Sequence, residues 1–281
     1  MTAALAVIFA GVLHATWNAM AKGAADRWVS FALIGAGQAL LTLPLLPFLP
    51  APDAAAVPYL AASVAVHLVY MGLLLKSYEL GDFSQVYPLA RGSAPLAVAL
   101  VAAVFLGERL SWAQFGGVAA VCGGLGVLAF AGGLRPGSRR EPKAVAAALL
   151  TGASIASYTL LDGIGVREAG SAASYTAWLF AIEGPVTVAA LWAVRRSALH
   201  RGLAVRQVAT GLGGGVIAMA GYGIVLWAQT RGALASVAAL RETGVISGAV
   251  IGAVFFGEHL GKSRIAAACV VAAGVVLITA H

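Results

Sequence analysis

Two stretches of this sequence share one pattern: Leu89-Ala90-Arg91 followed by Ala103-Val104-Phe105-Leu106-Gly107-Glu108-Arg109-Leu110, and Ala239-Leu240-Arg241 followed by Ala253-Val254-Phe255-Phe256-Gly257-Glu258-His259-Leu260. In both copies the glutamate follows the arginine by 17 positions, 91 to 108 and 241 to 258. Each arginine lies in an apolar run long enough to cross a membrane, where a charged side chain is costly unless it has a partner or a function. The duplication predicts a chain built from two related halves.

The composition excludes a soluble protein. The 281 residues are 60% hydrophobic and 10% charged, with a mean hydropathy of +0.90, whereas a soluble domain has about 25% charged residues. The net charge of +7 does not indicate a nucleic-acid partner, because the basic residues lie in short loops between apolar runs. That distribution is typical of a protein whose main partner is the lipid bilayer.

The apolar runs predict an all-α polytopic membrane protein. A bilayer core requires about 20 apolar residues per helix, and ten segments meet this requirement: 3–21, 29–49, 57–76, 83–106, 112–130, 144–165, 172–194, 208–229, 233–256 and 265–280. The basic segment 135–143, which holds two prolines and a glycine, is predicted to link a first repeat over 1–134 to a second over 144–281. Five spans per repeat is an odd number, so the repeats are expected to be inverted.

Small residues predict how these helices pack. The fifth and tenth spans are rich in Gly and Ala at four-residue spacing, and the Gly-rich run at 211–215 lies in the eighth span. Such residues let two backbones approach closely, which favours helix association in a bilayer. Cys122 and Cys269 lie in apolar runs without metal-ligand spacing, so we interpret both as packing residues and expect no metal site.

Loop charge gives an orientation. Loops after odd-numbered spans hold 13 Lys and Arg residues and loops after even-numbered spans hold three, Arg109, Arg167 and Arg231. The excess of positive charge would place the odd-numbered loops in the cytoplasm and both termini outside.

The two intramembrane arginines are the first candidates for a substrate site. Arg91 shares a helix face with Ser84, Tyr87 and Pro95, and Arg241 is followed by Glu242. Two guanidinium groups near one axis suit a carboxylate, phosphate or phosphonate, which they can bind bidentately. The alternative is structural: each arginine pairs with Glu183 or Glu242 and locks helices together.

Further polar residues extend this candidate site. The first span carries His14, Trp17 and Asn18, and the corresponding sixth span carries Tyr158. His14 titrates near neutral pH and is a candidate for proton coupling, although a neutral His bonded to a neighbouring helix is the alternative. Glu183, in mid-span before Gly184-Pro185, is the second candidate for proton coupling.

Other polar residues have a structural interpretation. His67 is expected to make a hydrogen bond between helices. Glu108 and Glu258 are expected to cap the helices that follow them. No metalloprotease, P-loop or nucleophile-elbow motif is present, so we predict neither an enzyme nor a bound cofactor.

The two halves resemble the EamA repeats of the drug/metabolite transporter superfamily, since each ends in a long apolar span, a Gly-Glu-(Arg/His)-Leu turn and a small-residue helix. The first span also resembles that of the small multidrug resistance branch, in which a proton-coupling glutamate lies eight residues before a lysine; here His14 precedes Lys22 by eight. Tyr87 falls where that branch has a substrate-lining tyrosine, and the phosphate-translocating branch uses basic residues in its site. The resemblance implies a transporter and places both termini in the cytoplasm, against the loop charges, so orientation stays open.

These observations predict a secondary active transporter of the cell inner membrane, proton-coupled or an exchanger, that moves a small organic metabolite with an acidic group. The substrate site is expected to hold the following residues: His14, Trp17, Asn18, Tyr87, Arg91, Tyr158 and Arg241. Export of cationic or aromatic compounds is the alternative, with the arginines neutralised by Glu183 and Glu242. A membrane enzyme and a passive channel are less well supported. The protein is expected to be a monomer or a homodimer.

Overall fold

The computed structural model describes residues 2–22, 24, 26–80, 83–132, 142–199, 203–247, 250 and 262–280, and this part of the chain contains helices and no strand. Its helices are α1 (Thr2–Lys22), α2 (Arg27–Thr42), α3 (Val57–Leu80), α4 (Phe83–Phe105), α5 (Trp112–Gly132), α6 (Pro142–Glu168), α7 (Ala172–Leu199), α8 (Val205–Gln229), α9 (Leu234–Arg241) and α10 (Lys262–Thr279). The predicted all-α class is therefore confirmed for these residues.

Within the described ranges, the lengths and apolar composition of the helices show which of them could cross a membrane. Seven helical segments are long and apolar enough to cross a bilayer, and the apolar parts of α5 and α10, Trp112–Val127 and Ile265–Thr279, are shorter. This supports a multi-pass membrane protein. The predicted hinge 135–143 lies outside the described residues up to position 141, as does the second copy of the Gly-Glu turn at 257–260.

The ninth predicted span, 233–256, is wrong as one continuous helix. Helix α9 ends at Arg241 after eight residues, and a turn at 242–243 precedes a new helical turn from Gly244. Across this break the backbone N–H groups of Glu242 and Thr243 donate to carbonyls three residues back. The Thr243 hydroxyl also donates to the Leu240 carbonyl at 2.7 Å, and a side chain that competes for a backbone acceptor in this way weakens the helix.

The second predicted span, 29–49, corresponds to one apolar helical segment, Arg27–Phe48, that changes helix type near its end. Asp26 caps the start of α2 by accepting hydrogen bonds from the N–H groups of Trp28 and Val29. The α-helix stops at Thr42 and continues as a 3-10 helix over Leu43–Phe48. Pro44 and Pro47 lie in this segment, and a proline removes a backbone donor from a regular helix.

The helices of the two halves interlock rather than forming two separate bundles. Helix α5 packs mainly on α10, α3 on α6, α2 on α7 and α1 on α8. Helices α4 and α9 also contact each other. The centre of the protein is therefore lined by helices from both halves.

Glycine pairs mark the closest of these crossings. A Cβ added to Gly117 in α5 would lie 2.6 Å from the Gly274 carbonyl oxygen of α10, and one added to Gly274 would lie 2.7 Å from the Gly117 carbonyl oxygen. Gly35 of α2 and Gly184 of α7 form a second such pair. In the eighth span Gly211 and Gly215 press on α2 in the same way. The predicted role of small residues in close helix packing is confirmed at these positions, where van der Waals contact replaces the hydrophobic drive.

Glu108 does not cap α5 as predicted. The start of α5 is capped by Ser111 and Gln114, each accepting a hydrogen bond from the backbone N–H of the other. Glu108 instead accepts from the Leu234 N–H at the start of α9 at 2.9 Å and pairs with Arg167 at 2.9 Å. Gly107, with φ of +65°, turns the chain at the end of α4 so that this contact between the halves forms. The glutamate thus joins the first half to the second.

The α5–α10 crossing predicts a position-specific effect of alanine. Gly117→Ala should lower the free energy of unfolding, because the new methyl group meets the α10 backbone and overpacking typically costs about 1–3 kcal/mol. The measurement is thermal unfolding of the full chain in detergent.

The adjacent Gly116 is the matched control, since a Cβ there meets nothing within 4 Å. Gly116→Ala should leave stability unchanged or raise it by up to about 1 kcal/mol through helix propensity. Equal effects of the two substitutions would contradict the crossing.

Candidate functional site

Two buried arginines share one carboxylate at the centre of the protein. Arg91 of α4 has its Nε 2.7 Å from Glu242 Oε2, and Arg241 has its Nε 3.4 Å from Glu242 Oε1. The three side chains are almost fully buried, Glu242 completely so. We call Arg91, Arg241 and Glu242 the arginine cluster. The predicted meeting of the two arginines is therefore observed, with the carboxylate from the second half between them.

The arginine cluster is short of hydrogen-bond acceptors. Within the described part of the chain, Arg91 Nη1 and Arg241 Nη2 are buried without a hydrogen-bond partner. Although Arg91 Nε lies close to Glu242 Oε2, neither atom has an aligned hydrogen bond, so the contact is an ion pair only. With two guanidinium groups and one carboxylate, the cluster has one excess positive charge and N–H groups free to bind an anion.

The break after α9 positions two of these three charges. Arg241 is the last residue of α9 and Glu242 its C-cap, and the carbonyls at a helix C-terminus favour a nearby cation. Gly244 then packs on Gly11 of α1, where a Cβ on either glycine would lie within 3 Å of the other's backbone. Close approach of α1 therefore seals the break from outside and brings the α1 side chains to the cluster.

The α1 residues form one wall beside the arginine cluster. Trp17 Nε1 donates to His14 Nδ1 at 3.2 Å and packs edge-on against its ring. Both arginines lie within electrostatic range of His14. The Asn18 amide donates to the His14 carbonyl oxygen at 2.7 Å, so this side chain bonds its own helix. The structure thus brings His14 near the cluster, with Trp17 bonded to His14 and Asn18 bonded to its own helix.

Four tyrosines lie near the arginine cluster or pack on one another beside it. The Arg91 guanidinium lies 5.9 Å from the centre of the Tyr87 ring. Tyr158 of α6 is within electrostatic range of both arginines and packs edge-on against Tyr70 and Tyr222. Tyr87 and Tyr158 were predicted for the site, whereas Tyr70 and Tyr222 were not. Together Tyr70, Tyr158 and Tyr222 form what we call the tyrosine layer.

Next to the tyrosine layer lies a second group of ionisable residues, since His67 stacks on Tyr158 and Tyr222 donates to Asp162. Its members are His67 of α3, Asp162 of α6 and Glu183 of α7. Tyr175 and Tyr222 donate to the two oxygens of Asp162 at 3.0 and 2.5 Å. The Glu183 carboxylate is within electrostatic range of both Asp162 and His67. We call these three residues the carboxylate cluster.

In the described ranges, Glu183 does not form the pair with an arginine that the structural alternative predicted. No ion pair described in the structure joins Glu183 to an arginine, and its Oε2 is buried without a hydrogen-bond partner. The predicted pairing of an arginine with Glu183 is wrong, while the pairing with Glu242 is correct for both arginines. Glu242, the C-cap of α9, is the carboxylate that both arginines contact instead.

Among the described residues, His67 does not make the predicted hydrogen bond between helices. Its Nδ1 lies 3.0 Å from the Ser63 carbonyl oxygen of its own helix, and its ring stacks on Tyr158 with 4.0 Å between ring centres. A carbonyl can only accept, which favours the tautomer with the proton on Nδ1 and leaves Nε2 as the basic atom. The helix-to-helix contact of His67 is thus an aromatic stack.

Sequence reasoning missed Asp162 as a site residue, although the sequence contains the signal. An aspartate in an apolar span is rare and is usually functional. The tyrosines around it gave no comparable signal, because tyrosine is common in membrane spans and at their ends. Among the described residues no group of three or more His, Cys, Asp or Glu side chains is close enough to hold a metal ion.

Comparisons with known proteins identify the second half most directly. Residues 142–280 match the model of a family described as the EamA-like transporter family. A solved structure, titled only "Crystal structure of protein", has a TM-score of 0.73 and 16% identity, covering 99% of this chain and 96% of that chain. At this identity the likeness shows the fold alone. No curated protein matches the sequence.

The shared carboxylate predicts a large loss of stability on its removal. Glu242→Gln leaves two buried guanidinium groups without a counter-charge, and breaking a buried ion pair in this way costs about 3–5 kcal/mol. The measurement is thermal unfolding of the full chain in detergent.

Glu79→Gln is the control, because Glu79 pairs with Lys76 at 3.0 Å on the surface and is 57% exposed. Its loss should cost less than about 1 kcal/mol. A Glu242→Gln protein as stable as the control would show that the arginines do not depend on this carboxylate.

Proposed function

We propose that this protein, whose residues 142–280 match the EamA-like transporter family, is a secondary active transporter of a small organic metabolite with an acidic group. It moves this substrate across the cytoplasmic membrane by alternating access. The substrate lies between the two halves, with its acidic group at the arginine cluster. The residues proposed to contact it are His14, Trp17, Asn18, Tyr87, Arg91, Tyr158 and Arg241.

The single observation that carries this proposal is the excess positive charge of the arginine cluster. Glu242 balances one guanidinium group, and Arg91 Nη1 and Arg241 Nη2 have no hydrogen-bond partner. A buried, uncompensated cation is expensive in a bilayer. A carboxylate, phosphate or phosphonate would supply the missing negative charge and accept both free N–H groups. A neutral or cationic substrate would do neither.

Alternating access is supported by the way in which the halves pack. If residues 1–134 and 144–281 are inverted repeats, α1 corresponds to α6, α3 to α8 and α5 to α10. The packing of α3 on α6 is then equivalent to that of α8 on α1, and the packing of α5 on α10 is its own equivalent. A broken helix next to the charged site, as after α9, is a common feature of transporters whose inverted repeats rock about a central site.

The Glu108–Arg167 pair is proposed to be part of the closed face. It joins the end of α4 in the first half to the end of α6 in the second. On the same face the Ser174 hydroxyl donates to the Pro50 carbonyl oxygen, again between halves. These contacts must separate when that face opens.

Two residues were expected to carry a coupling proton, His14 and Glu183, and both remain proposed for that role. They lie in different places: His14 is beside the arginine cluster and Glu183 belongs to the carboxylate cluster. His14 would respond to the charge of the bound substrate, while Glu183 is separated from it by the tyrosine layer.

Export of cationic or aromatic compounds is the second candidate, and the tyrosine layer is the observation that favours it. The centre of the Tyr158 ring lies 5.5 Å from that of Tyr70 and 6.2 Å from that of Tyr222, and such a layer suits an aromatic group or an organic cation. The two candidates differ in the charge of the ligand that the arginine cluster accepts.

Arginine removal predicts a loss of anion binding without a loss of fold. Arg91→Ala or Arg241→Ala leaves one arginine paired with Glu242, so the cluster becomes neutral and stays paired. Binding of an anion should weaken by about 30-fold or more, equivalent to about 2 kcal/mol. The measurement is the ligand-induced shift in thermal unfolding with benzoate, phenylphosphonate, benzylamine and benzyl alcohol, which share a ring and differ in charge.

Arg109→Ala is the matched control, because Arg109 is exposed and lies outside the cluster. Wild type and this control should respond to benzoate or phenylphosphonate and not to benzylamine. A response to benzylamine that survives in both cluster variants would favour the export of cations, and anion responses unchanged in both would contradict the anion site.

A further inference from the structure

We propose that Asp162, Glu183 and His67 together form a proton-binding site, distinct from the substrate site and separated from it by the tyrosine layer. The proposal rests on the proposed function, since a coupling proton is needed only if transport is driven by a gradient. It extends the role of Glu183 to two residues, Asp162 and His67, that lie on two other helices.

Asp162 is the best-bound member of the carboxylate cluster. It is fully buried, and none of the described ion pairs gives it a Lys or Arg partner. Its oxygens accept hydrogen bonds from the hydroxyl groups of Tyr175 and Tyr222. Hydrogen bonds from neutral hydroxyl groups stabilise the ionised carboxylate without the counter-charge of a Lys or Arg partner. A tyrosine hydroxyl can also accept, so the same site can bind the protonated acid.

Glu183 supplies an acceptor that the protein leaves unused. It is 8% exposed, and its Oε2 has no hydrogen-bond partner. An unpartnered carboxylate oxygen at this depth is costly, and a proton removes that cost by neutralising the charge. Asp162 acts on Glu183 electrostatically, so a proton bound by one carboxyl group also lowers the repulsion on the other.

His67 completes the site, because its ring would be positively charged when protonated, opposite to the carboxylates. With the proton on Nδ1 facing the Ser63 carbonyl oxygen, Nε2 is the atom that takes up a further proton. Both carboxyl groups lie within electrostatic range of this ring. One proton on His67 and one on either carboxyl group make the cluster neutral.

Neighbouring tyrosines connect this site to the arginine cluster. Tyr158 stacks on His67 and Tyr222 donates to Asp162, and Arg241 lies within electrostatic range of both tyrosines. The charge at the arginine cluster is therefore felt across one layer of side chains. Binding of an anion and binding of a proton would favour each other, as coupled transport of the two requires.

A proton suits this cluster better than a metal ion. The three side chains are not close enough together to hold a metal ion between them. A proton needs only one oxygen or nitrogen atom at a time, and the cluster offers several. A sodium ion is kept as an outcome of the test.

The first experiment requires no substrate. Infrared difference spectra of the full chain in liposomes, recorded as a function of pH, report the carbonyl stretch of protonated carboxyl groups. The wild type should show such a band, and Asp162→Asn and Glu183→Gln should each remove or shift part of it. Asp53→Asn, at an exposed loop position, should leave it unchanged. Thermal unfolding of each variant tests its fold, and Glu183→Gln is the variant least able to disturb it, because the altered oxygen has no partner.

A band that is the same in wild type, Asp162→Asn and Glu183→Gln would overturn the proposal. A band that sodium chloride suppresses at constant pH, and potassium chloride does not, would also overturn it, in favour of a sodium site. Because no ligand is added, these results hold whether or not the arginine cluster binds an anion.

The second experiment measures coupling with benzoate or phenylphosphonate, whichever shifts the unfolding of the wild type. In proteoliposomes, Asp162→Asn and Glu183→Gln should keep counterflow exchange of that probe and lose its pH-gradient-driven accumulation, to the level of protein-free liposomes. Accumulation equal to that of the wild type in both variants would overturn the proposal. Loss of exchange in Arg91→Ala with intact infrared titration would separate failure of the substrate site from failure of the proton site.

Discussion

The central constraint on this protein is that two guanidinium groups buried inside the membrane have one carboxylate between them. A charge inside a bilayer must be paired or be useful, and here the pairing is incomplete by one charge. Glu242 holds Arg91 and Arg241 in place, and the unpartnered N–H groups define where a further acceptor would lie. Full pairing would have made the cluster a structural lock between helices. The shortage of one negative charge is what favours a binding site.

The packing of the helices places the three residues of the arginine cluster together. Helix α9 ends at Arg241, and Glu242, the next residue, contacts both arginines. A break exposes backbone groups that lipid cannot satisfy, so it must be covered by protein. The contact between Gly11 and Gly244 covers it with α1, which carries His14 and Trp17. The same use of glycine at the Gly117–Gly274 and Gly35–Gly184 crossings brings helices from both halves of the sequence into backbone contact.

Much of the architecture could be predicted from the sequence because the bilayer limits the possible structures. Apolar length gave the helices, and glycine spacing gave the close crossings. That the repeated arginine marks two related halves stays a prediction. The break after α9 could not be predicted in this way, since residues 233–256 are apolar enough to read as one span and only Thr243 and Gly244 weaken the helix there. The partner of each arginine followed from that break. The location of Glu183 beside Asp162 and His67 depends on which faces of α3, α6 and α7 meet, and that is decided by three-dimensional packing rather than by spacing along the chain.

The most direct test of the central claim is a structure of the full chain in lipid nanodiscs with phenylphosphonate bound, determined by electron cryomicroscopy. The account predicts density for the phosphonate group within hydrogen-bond distance of both Arg91 and Arg241, with the ring toward Tyr158. Density for the phosphonate at any other place, or a site between the arginines that stays empty while the ligand binds elsewhere, would contradict it.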